Sequence, residues 1–225
     1  MTVHSTLEEI CRLGQSLFDR GYTHGSSGNI SVLLDDGTLA VTPTNSSLGT
    51  LDPTEITLVD PNGRVLQGLS PTKELPLHKA MYRTRGEARA IIHLHSTHSV
   101  AVSMLPNVNP DDVFPSLTAY YLMKVGRTAL LPYFRPGDPL VSDAISALQG
   151  RYSAILLANH GPVVAGVTLN DTMFAIEELE QTAKIHLLTA HSKPLLLSDA
   201  EAGALRELRQ PGFGRANAPN GDQRD

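Results

Sequence analysis

The chain has 225 residues, of which 41% are hydrophobic and 18% are charged, a balance typical of a globular protein. Its 18 Lys and Arg residues and 23 Asp and Glu residues give a net charge of -5, which argues against a general role in nucleic-acid binding. A single cysteine excludes an internal disulfide framework. No run of about 18 apolar residues could cross a membrane, and the acidic N-terminal segment is unlike a signal peptide, so we expect a cytoplasmic protein.

The first half of the chain predicts three helices, two β-hairpins and a buried strand. Ser5 and Glu8 have the spacing of a capping box at the start of the first helix. The hairpins are predicted around the turns Asp36-Gly37 and Pro61-Asn62-Gly63. The elements that follow are a helix, a buried strand and a short helix, over residues 75–85, 90–95 and 99–105.

The second half predicts four more strands and three helices. Asp138 and Pro139 are suited to the first positions of a helix that ends at Gly150. The strands are expected over 120–125, 128–132, 153–158 and 162–165, and the other helices over 169–191 and 200–208.

Because tight turns join antiparallel strands, we expect one three-layer α/β/α domain over residues 1–210, with a largely antiparallel central sheet. Residues 211–225 have little apolar surface to bury, and we predict that they form a mobile C-terminal tail.

Three histidines lie where predicted strands end. His93 and His95 are separated by one residue, so in a strand both imidazoles point to one face, about 7 Å apart. His160 follows a second buried strand. Three imidazoles suit Zn²⁺ or a similar divalent metal with an open position, as in catalytic sites. The alternative is that backbone groups or water satisfy these histidines, since short motifs often occur by chance.

Other polar residues have candidate roles beside such a metal. Glu74 could contribute a carboxylate, although at the start of a predicted helix it could instead interact with the helix dipole. The polar segments 25–31 and 42–47 offer donors to an anion. Neither segment has P-loop spacing, and each alone is typical of a turn.

Five sequence segments, taken together and in order, resemble the pattern of one protein family. SSGNIS, TPTNSS, SPTKE with PLH, IIHLHSTHS and LLANHGPVVAG follow one another within residues 7–192, and as a set they resemble the class II aldolase/adducin family. The resemblance implies a homotetramer in which His93, His95 and His160 bind one zinc ion per subunit. It implies that Glu74 is the acid/base and can also contact the metal. The residues that match the family's phosphate-binding positions are Asn29, Thr44, Asn45, Thr72 and Lys73.

Two departures from the aldolase pattern bear on the substrate. Asn45 stands where the aldolases typically have glycine, and Lys73 places a cation beside the carboxylate. A solvated lysine in the first turn of a helix is the alternative for Lys73. With the segment 130–138, these residues look like the branch of the family that decarboxylates 3-oxo-tetronate 4-phosphates. The resemblance thus implies that a small acid-sugar phosphate loses CO₂ through a metal-stabilised enediolate and gives dihydroxyacetone phosphate.

Other functions within the same family stay open at this point. A sugar-phosphate aldolase or epimerase, of the fuculose-phosphate or ribulose-phosphate type, would act on a ketose phosphate. A dehydratase would act on a thio-sugar phosphate. An adducin-like head would be a protein-interaction module, and such heads lack the full ligand set. The presence of three histidines with Glu74 favours an enzyme.

Overall fold

The computed structural model describes residues 2–208, and its central feature is a sheet of eight strands flanked by seven α-helices. The strands are β1 (Asn29–Leu33), β2 (Leu39–Val41), β3 (Thr57–Val59), β4 (Val65–Gln67), β5 (Ala90–His93), β6 (Thr128–Leu131), β7 (Ala154–Leu157) and β8 (Gly161–Gly166). The helices are α1 (Val3–Asp19), α2 (Leu75–Thr84), α3 (Thr97–Ser103), α4 (Ala119–Lys124), α5 (Val141–Ala147), α6 (Leu169–Thr189) and α7 (Asp199–Glu207). A short 3₁₀ helix covers Leu48–Thr50.

The sheet has the strand order β4-β3-β2-β1-β5-β8-β7-β6. Within the described residues all neighbouring strands are antiparallel except β6 and β7, which are parallel. The two predicted hairpins are confirmed as β1–β2 and β3–β4. Gly37 and Gly63 lie in their turns with φ of 84° and 90°, a region that glycine adopts without steric cost.

Alternation along the strands directs apolar side chains into cores on both faces of the sheet. Ile92 of β5 and Leu156 of β7 are buried in the larger core, together with the apolar faces of α1 and α6. Ile91 and Ile155, their neighbours in sequence, are buried on the other face with residues of α2 and α5. The three-layer α/β/α fold with a largely antiparallel sheet is therefore confirmed.

The predicted strand over 120–125 is wrong, because this segment forms helix α4. The side chain of Thr118 accepts a hydrogen bond from the backbone N–H of Tyr121 at 3.2 Å and so caps the helix. A helix also brings Tyr121, Leu122 and Val125 to one side, and all three are buried in the larger core. A strand would direct Tyr121 and Leu122 to opposite faces, so tertiary packing overrides the β-propensity of the aromatic residues.

Two predicted helix starts are also wrong. Thr2, not Ser5, caps α1, since its hydroxyl accepts a hydrogen bond from the backbone N–H of Ser5 at 3.2 Å. Helix α5 begins at Val141, because the carboxylate of Asp138 accepts a hydrogen bond from the N–H of Leu140 at 3.0 Å and forms a separate turn.

Two further expectations from the sequence concern the C-terminal tail and the absence of a membrane-spanning segment. The predicted tail, residues 211–225, lies outside the described residues, so its mobility stays a prediction. In the part of the chain that the structure describes, no helix combines the length and the apolar character needed to cross a bilayer.

Candidate metal centre

The candidate site lies at the edge of the sheet where the neighbouring strands β1 and β8 begin and β5 ends. Asn29, at the start of β1, is paired in register with His93, at the end of β5. His93 is in turn paired with Val163 of β8, which starts directly after His160. Antiparallel pairing thus places residues from distant parts of the chain side by side.

Four side chains converge at this edge: Glu74, His93, His95 and His160. Each offers a ligand atom, and these atoms all lie within 4.8 Å of one another. Nε2 of His93 lies 3.3 Å from Oε2 of Glu74, and Nε2 of His160 lies 3.3 Å from Oε1 of the same carboxylate. Glu74, His93 and His160 are buried, and His95 is partly buried. Such a donor set fits a divalent metal ion.

The position of His95 differs from the predicted one. Strand β5 ends at His93, so His95 lies in the loop before α3, and its ring centroid is 5.0 Å from that of His93 and 4.7 Å from that of His160. The loop contacts the start of β8 closely, since a Cβ atom added to Gly161 would lie 2.1 Å from the carbonyl oxygen of Leu94. A side chain at Gly161 would therefore push the two histidine-bearing segments apart.

Glu180 of α6 fixes the chain just after His95. Its buried carboxylate accepts hydrogen bonds from the backbone N–H groups of His98 and Ser99, at 2.9 and 2.8 Å. It also accepts from Nδ1 of His98 at 2.8 Å and from the hydroxyl of Ser99 at 2.6 Å. Glu180 was not predicted from the sequence. The available signal was a carboxylate among the apolar residues of a long helix, which must find donors when it is buried.

The helix-dipole alternative for Glu74 does not account for its carboxylate. Glu74 directly precedes α2, but its side chain makes no capping hydrogen bond to that helix. The carboxylate instead faces His93 and His160, and its Oε2 accepts a hydrogen bond from Nδ2 of Asn29 at 2.8 Å. The structure therefore directs this group into the candidate metal site.

The electrostatics of the cluster favour a bound cation. Burial, together with the neighbouring imidazoles, lowers the pKa of His95 to about 3 and that of His160 to about 4, so both rings are neutral near pH 7. Burial alone would raise the pKa of Glu74, but the facing His93 and His160 and the Asn29 hydrogen bond outweigh it and lower that pKa. Burial likewise opposes a charge on His93, yet Glu74 raises its pKa above the ordinary value. Without a metal the carboxylate thus attracts a proton to His93, and a bound cation would take the place of that proton.

Free ring nitrogens complete the fit to a metal. Nδ1 of His93 donates to the carbonyl oxygen of Pro162 at 2.9 Å, which leaves the lone pair of Nε2 directed at the cluster. Among the described residues, Nε2 of His95 is buried without a hydrogen-bond partner. A buried nitrogen in this state is costly unless a ligand occupies it.

The predicted phosphate-binding residues lie on two adjoining segments. Residues 42–45 and 70–74 are joined by hydrogen bonds from the N–H of Thr44 to the carbonyl of Ser70 and from the N–H of Thr72 to that of Thr42, at 2.9 and 3.1 Å. Asn45 has a φ of 59°, which glycine adopts freely and which asparagine tolerates better than most residues. This explains why an asparagine can stand where the aldolases typically have glycine.

The remaining predicted residues differ in their surroundings. Thr72 is buried, and its hydroxyl accepts a hydrogen bond from the N–H of Glu74 at 3.3 Å. Lys73 is exposed, which is compatible both with a solvated lysine and with a lysine that contacts a substrate. Asn29 already uses its amide to contact Glu74 and His78. The roles of these residues toward a phosphate stay predictions.

A crevice opens beside the cluster on the side of the loop before α5. Glu74 and His160 form part of its wall, and Phe134 and Arg135 line it from the loop. Arg135 is exposed, so a cation is available here for an anionic ligand. In the sequence, the segment 130–138 indicated only a resemblance to one branch of the family, and no role was predicted for Arg135.

The sequence of this chain is similar to those of several known proteins. The family described as "Class II Aldolase and Adducin N-terminal domain" matches residues 8–187. A 3-oxo-tetronate 4-phosphate decarboxylase of Cupriavidus necator is 47% identical over 212 residues, covering 93% of this chain and 97% of that protein. An L-fuculose phosphate aldolase of Methanococcus maripaludis is 32% identical over 185 residues, covering 82% of this chain and 96% of that protein.

A solved structure shares the fold of this chain. The crystal structure of YgbL from Escherichia coli is similar with a TM-score of 0.88 and 41% identity, covering 91% of this chain and 99% of that chain. The sequence match and the shared architecture both extend over most of the chain, so the chain belongs to the class II aldolase/adducin family.

Proposed function

We propose that this chain is a metal-dependent carboxy-lyase that converts a 3-oxo-tetronate 4-phosphate into dihydroxyacetone phosphate and CO₂. One observation carries the proposal. Three imidazoles and a carboxylate converge within 4.8 Å in a chain that is 47% identical, over 93% of its length, to a decarboxylase of that substrate class.

The proposed metal ligands are His93, His95 and His160, with Glu74 as a group that can also contact the ion. Three nitrogen ligands and an open position are typical of catalytic Zn²⁺, so we propose zinc or a similar divalent ion, one per subunit. A divalent ion bound there supplies a Lewis acid that stabilises negative charge on nearby substrate oxygens.

The substrate has its carboxylate at C1, a hydroxyl at C2, a ketone at C3 and the phosphate at C4. When the C1–C2 bond breaks, its electron pair moves toward the C3 carbonyl, CO₂ leaves, and an enediolate across C2 and C3 results. Glu74 is ionised in the resting site, so it must first take up a proton from solvent through the crevice that it lines. It then gives this proton to C2, which becomes the hydroxymethyl carbon of dihydroxyacetone phosphate.

The substrate carries two anionic groups, and we propose a separate place for each of them. We propose that the phosphate is held by the adjoining segments that contain Thr44, Asn45 and Thr72, with Asn29 nearby. Lys73 lies directly before Glu74, and we propose that it positions the carboxylate of the substrate. It should not bind that group too strongly, because stabilising the carboxylate would oppose the loss of CO₂.

The second candidate function is a sugar-phosphate aldolase. It is favoured by the 32% identity to an L-fuculose phosphate aldolase over 82% of this chain. The two reactions share an enediolate and differ in the fragment that leaves, which is CO₂ in one and an aldehyde in the other.

We also propose that the chain assembles as a homotetramer in the cytoplasm. Two large aromatic side chains, Tyr120 and Phe174, are 65% and 52% exposed and could be covered by another subunit. Phosphorylated acid sugars do not cross a bilayer unaided, because burying their charges is costly, which favours an enzyme inside the cell. Light scattering of the purified protein tests the tetramer.

The test of the function is a comparison of substrates. The purified, metal-loaded protein is incubated with D- and L-series 3-oxo-tetronate 4-phosphates and, separately, with ketose phosphates. We expect CO₂ and dihydroxyacetone phosphate in equal amounts from at least one tetronate. Cleavage of ketose phosphates to an aldehyde, with no CO₂ from either tetronate, would identify an aldolase instead.

A further inference from the structure

A line of polar groups leads from Glu74 into the layer between the sheet and α2. Oε2 of Glu74 accepts a hydrogen bond from Nδ2 of Asn29 at 2.8 Å, and Oδ1 of Asn29 lies 2.5 Å from Nε2 of His78. Nδ1 of His78 lies 2.6 Å from the hydroxyl of Ser31, which lies 2.9 Å from the hydroxyl of Tyr82. His78 and Ser31 are fully buried. The network therefore has no contact with bulk water at its centre.

Regular secondary structure produces this line. Asn29 and Ser31 are two residues apart on β1, so their side chains point to the same face of the sheet. Glu74, His78 and Tyr82 are spaced four residues apart at the start of α2 and along it, so they share one side of the helix. A polar stripe on the helix thus faces a polar stripe on the strand.

The hydrogen bonds that connect Glu74, Asn29, His78 and Ser31 each have one permitted direction. An ionised carboxylate only accepts, so the amide nitrogen of Asn29 faces Glu74 and its oxygen faces His78. Nε2 of His78 must therefore carry a proton, and Nδ1 must accept one from the hydroxyl of Ser31. The ring is neutral, because burial lowers the pKa of His78 to about 3.

We infer that His78 is a positioning residue that acts through Asn29 to orient the carboxylate of Glu74 for proton transfer. The inference rests on the proposed function, in which Glu74 delivers the proton. The network holds Oε2 as an acceptor and leaves Oε1 facing His160, and both residues line the crevice. Proton transfer depends steeply on the orientation of the donor, so a carboxylate that is free to rotate transfers less efficiently.

Substitutions along the line test the inference in the full-length, metal-loaded protein. His78→Phe keeps a ring but removes both hydrogen bonds, His78→Gln keeps an N–H near the position of Nε2, and Tyr82→Phe removes only the outermost hydroxyl. Thr128→Val is the control. Thr128 lies on the edge strand β6, away from the site, and its buried hydroxyl is hydrogen-bonded at 2.9 Å to the hydroxyl of Tyr121 in α4.

Two kinetic measurements separate orientation from general damage. One is the release of CO₂ from the tetronate phosphate. The other is the exchange of a hydroxymethyl proton of dihydroxyacetone phosphate with deuterium from the solvent, which is the proton step alone. We expect His78→Phe to slow exchange by about 10- to 100-fold, the usual effect of losing an outer hydrogen-bond partner, with little change in KM or metal content. Tyr82→Phe should lose less, and His78→Gln should recover part of the rate.

Several results would overturn the inference. Exchange by His78→Phe at the rate of the unaltered protein would do so, as would a loss no larger than that of a Thr128→Val protein with the same thermal stability. Loss of the bound metal in His78→Phe would show that the line supports the metal ligands instead. If the unaltered protein exchanges protons but releases no CO₂ from any tetronate, the proposed function fails, and the exchange measurements still decide the role of His78.

A spectroscopic measurement does not depend on activity. In protein labelled with ¹⁵N-histidine, the nitrogen shifts of His78 should identify a neutral ring with the proton on Nε2. If His78→Phe does not fold, this measurement and Tyr82→Phe remain. A proton on Nδ1 in the unaltered protein would contradict the directions assigned to the whole line.

Discussion

The metal side and the anion side of the site are built differently. On the metal side, His93, His160 and Glu74 are buried, and strand pairing and hydrogen bonds hold each of them in place. On the anion side, Lys73 and Arg135 are exposed in a turn and a loop. We therefore expect the metal-dependent chemistry to depend on rigid, buried groups. We expect the choice of substrate to depend on exposed groups, which can change at little cost in stability.

The largest expected effect is on the metal side. We predict that His95→Ala loses most of the bound metal and at least about 100-fold in activity, because the ring nitrogen that it removes is already free of other partners. Metal content, circular dichroism and CO₂ release measure the effect. His4→Ala, which alters an exposed histidine on α1, is the control. Full metal occupancy in His95→Ala would show that His95 is not a ligand.

The next effect separates the carboxylate from the metal ligands. We predict that Glu74→Gln keeps the metal on its three histidines but loses about 10²- to 10⁴-fold in turnover, because an amide cannot serve as the acid. Glu8→Gln, an exposed substitution on α1, is the matched control. A Glu74→Gln protein that retains its turnover would assign the proton step to another group.

On the anion side we expect a smaller, selective effect. Lys73→Ser should weaken the binding of a substrate with two anions about five- to tenfold more than it weakens dihydroxyacetone phosphate, which lacks the carboxylate. The effect is modest because Lys73 is exposed and solvent screens its charge. Titration of both ligands measures it, and Lys184→Ser on α6 is the control. An equal loss for both ligands would show that Lys73 contacts only the phosphate.

The smallest effect concerns stability and pH. Folding lowers the pKa of His78 from 6.5 to about 3, so between these values the unfolded chain binds a proton that the folded chain does not. Stability from this group is therefore complete above pH 6.5 and is lost as the pH falls towards 3. The free energy of unfolding can be measured in denaturant at a series of pH values, and its fall below pH 6.5 is the acid branch of that curve. We predict a shallower acid branch for His78→Phe than for the unaltered protein, although its overall stability should fall by about 1–3 kcal/mol.

Thr128→Val provides the comparison for this pH prediction. It should lower the whole curve of unfolding free energy without changing its slope, because it removes a hydroxyl that does not titrate. An acid branch of equal slope in His78→Phe and in the unaltered protein would show that His78 does not carry the pH dependence.

Much of the metal side was predictable from the sequence, because its signals are local. The positions of His93 and His160 follow from buried strands that end beside them, and the hairpins follow from their turn residues. The proposed role of Glu74 came from family resemblance. Its position at the start of a helix could equally have been explained by the helix dipole. The structure removed that ambiguity by the direction of the carboxylate.

The residues that support the ligands could not be predicted in the same way. Glu180 binds His98 and Ser99 across more than 80 residues of sequence, and His78 binds Asn29 across 49. No local pattern encodes such pairs, because they depend on how the layers pack. The strand predicted for α4 failed for a related reason, since its burial pattern is set by contacts with the rest of the core.

The central claim is that the chain removes C1 of the substrate as CO₂ and then protonates C2. One experiment in D₂O tests this claim directly. The metal-loaded protein is given a 3-oxo-tetronate 4-phosphate, and mass spectrometry and NMR follow the products. The account predicts one CO₂ for each dihydroxyacetone phosphate, one deuterium on its hydroxymethyl carbon, and loss of both products after treatment with a chelator. An unchanged rate after complete removal of the metal, or a product that retains the carboxylate, would contradict it.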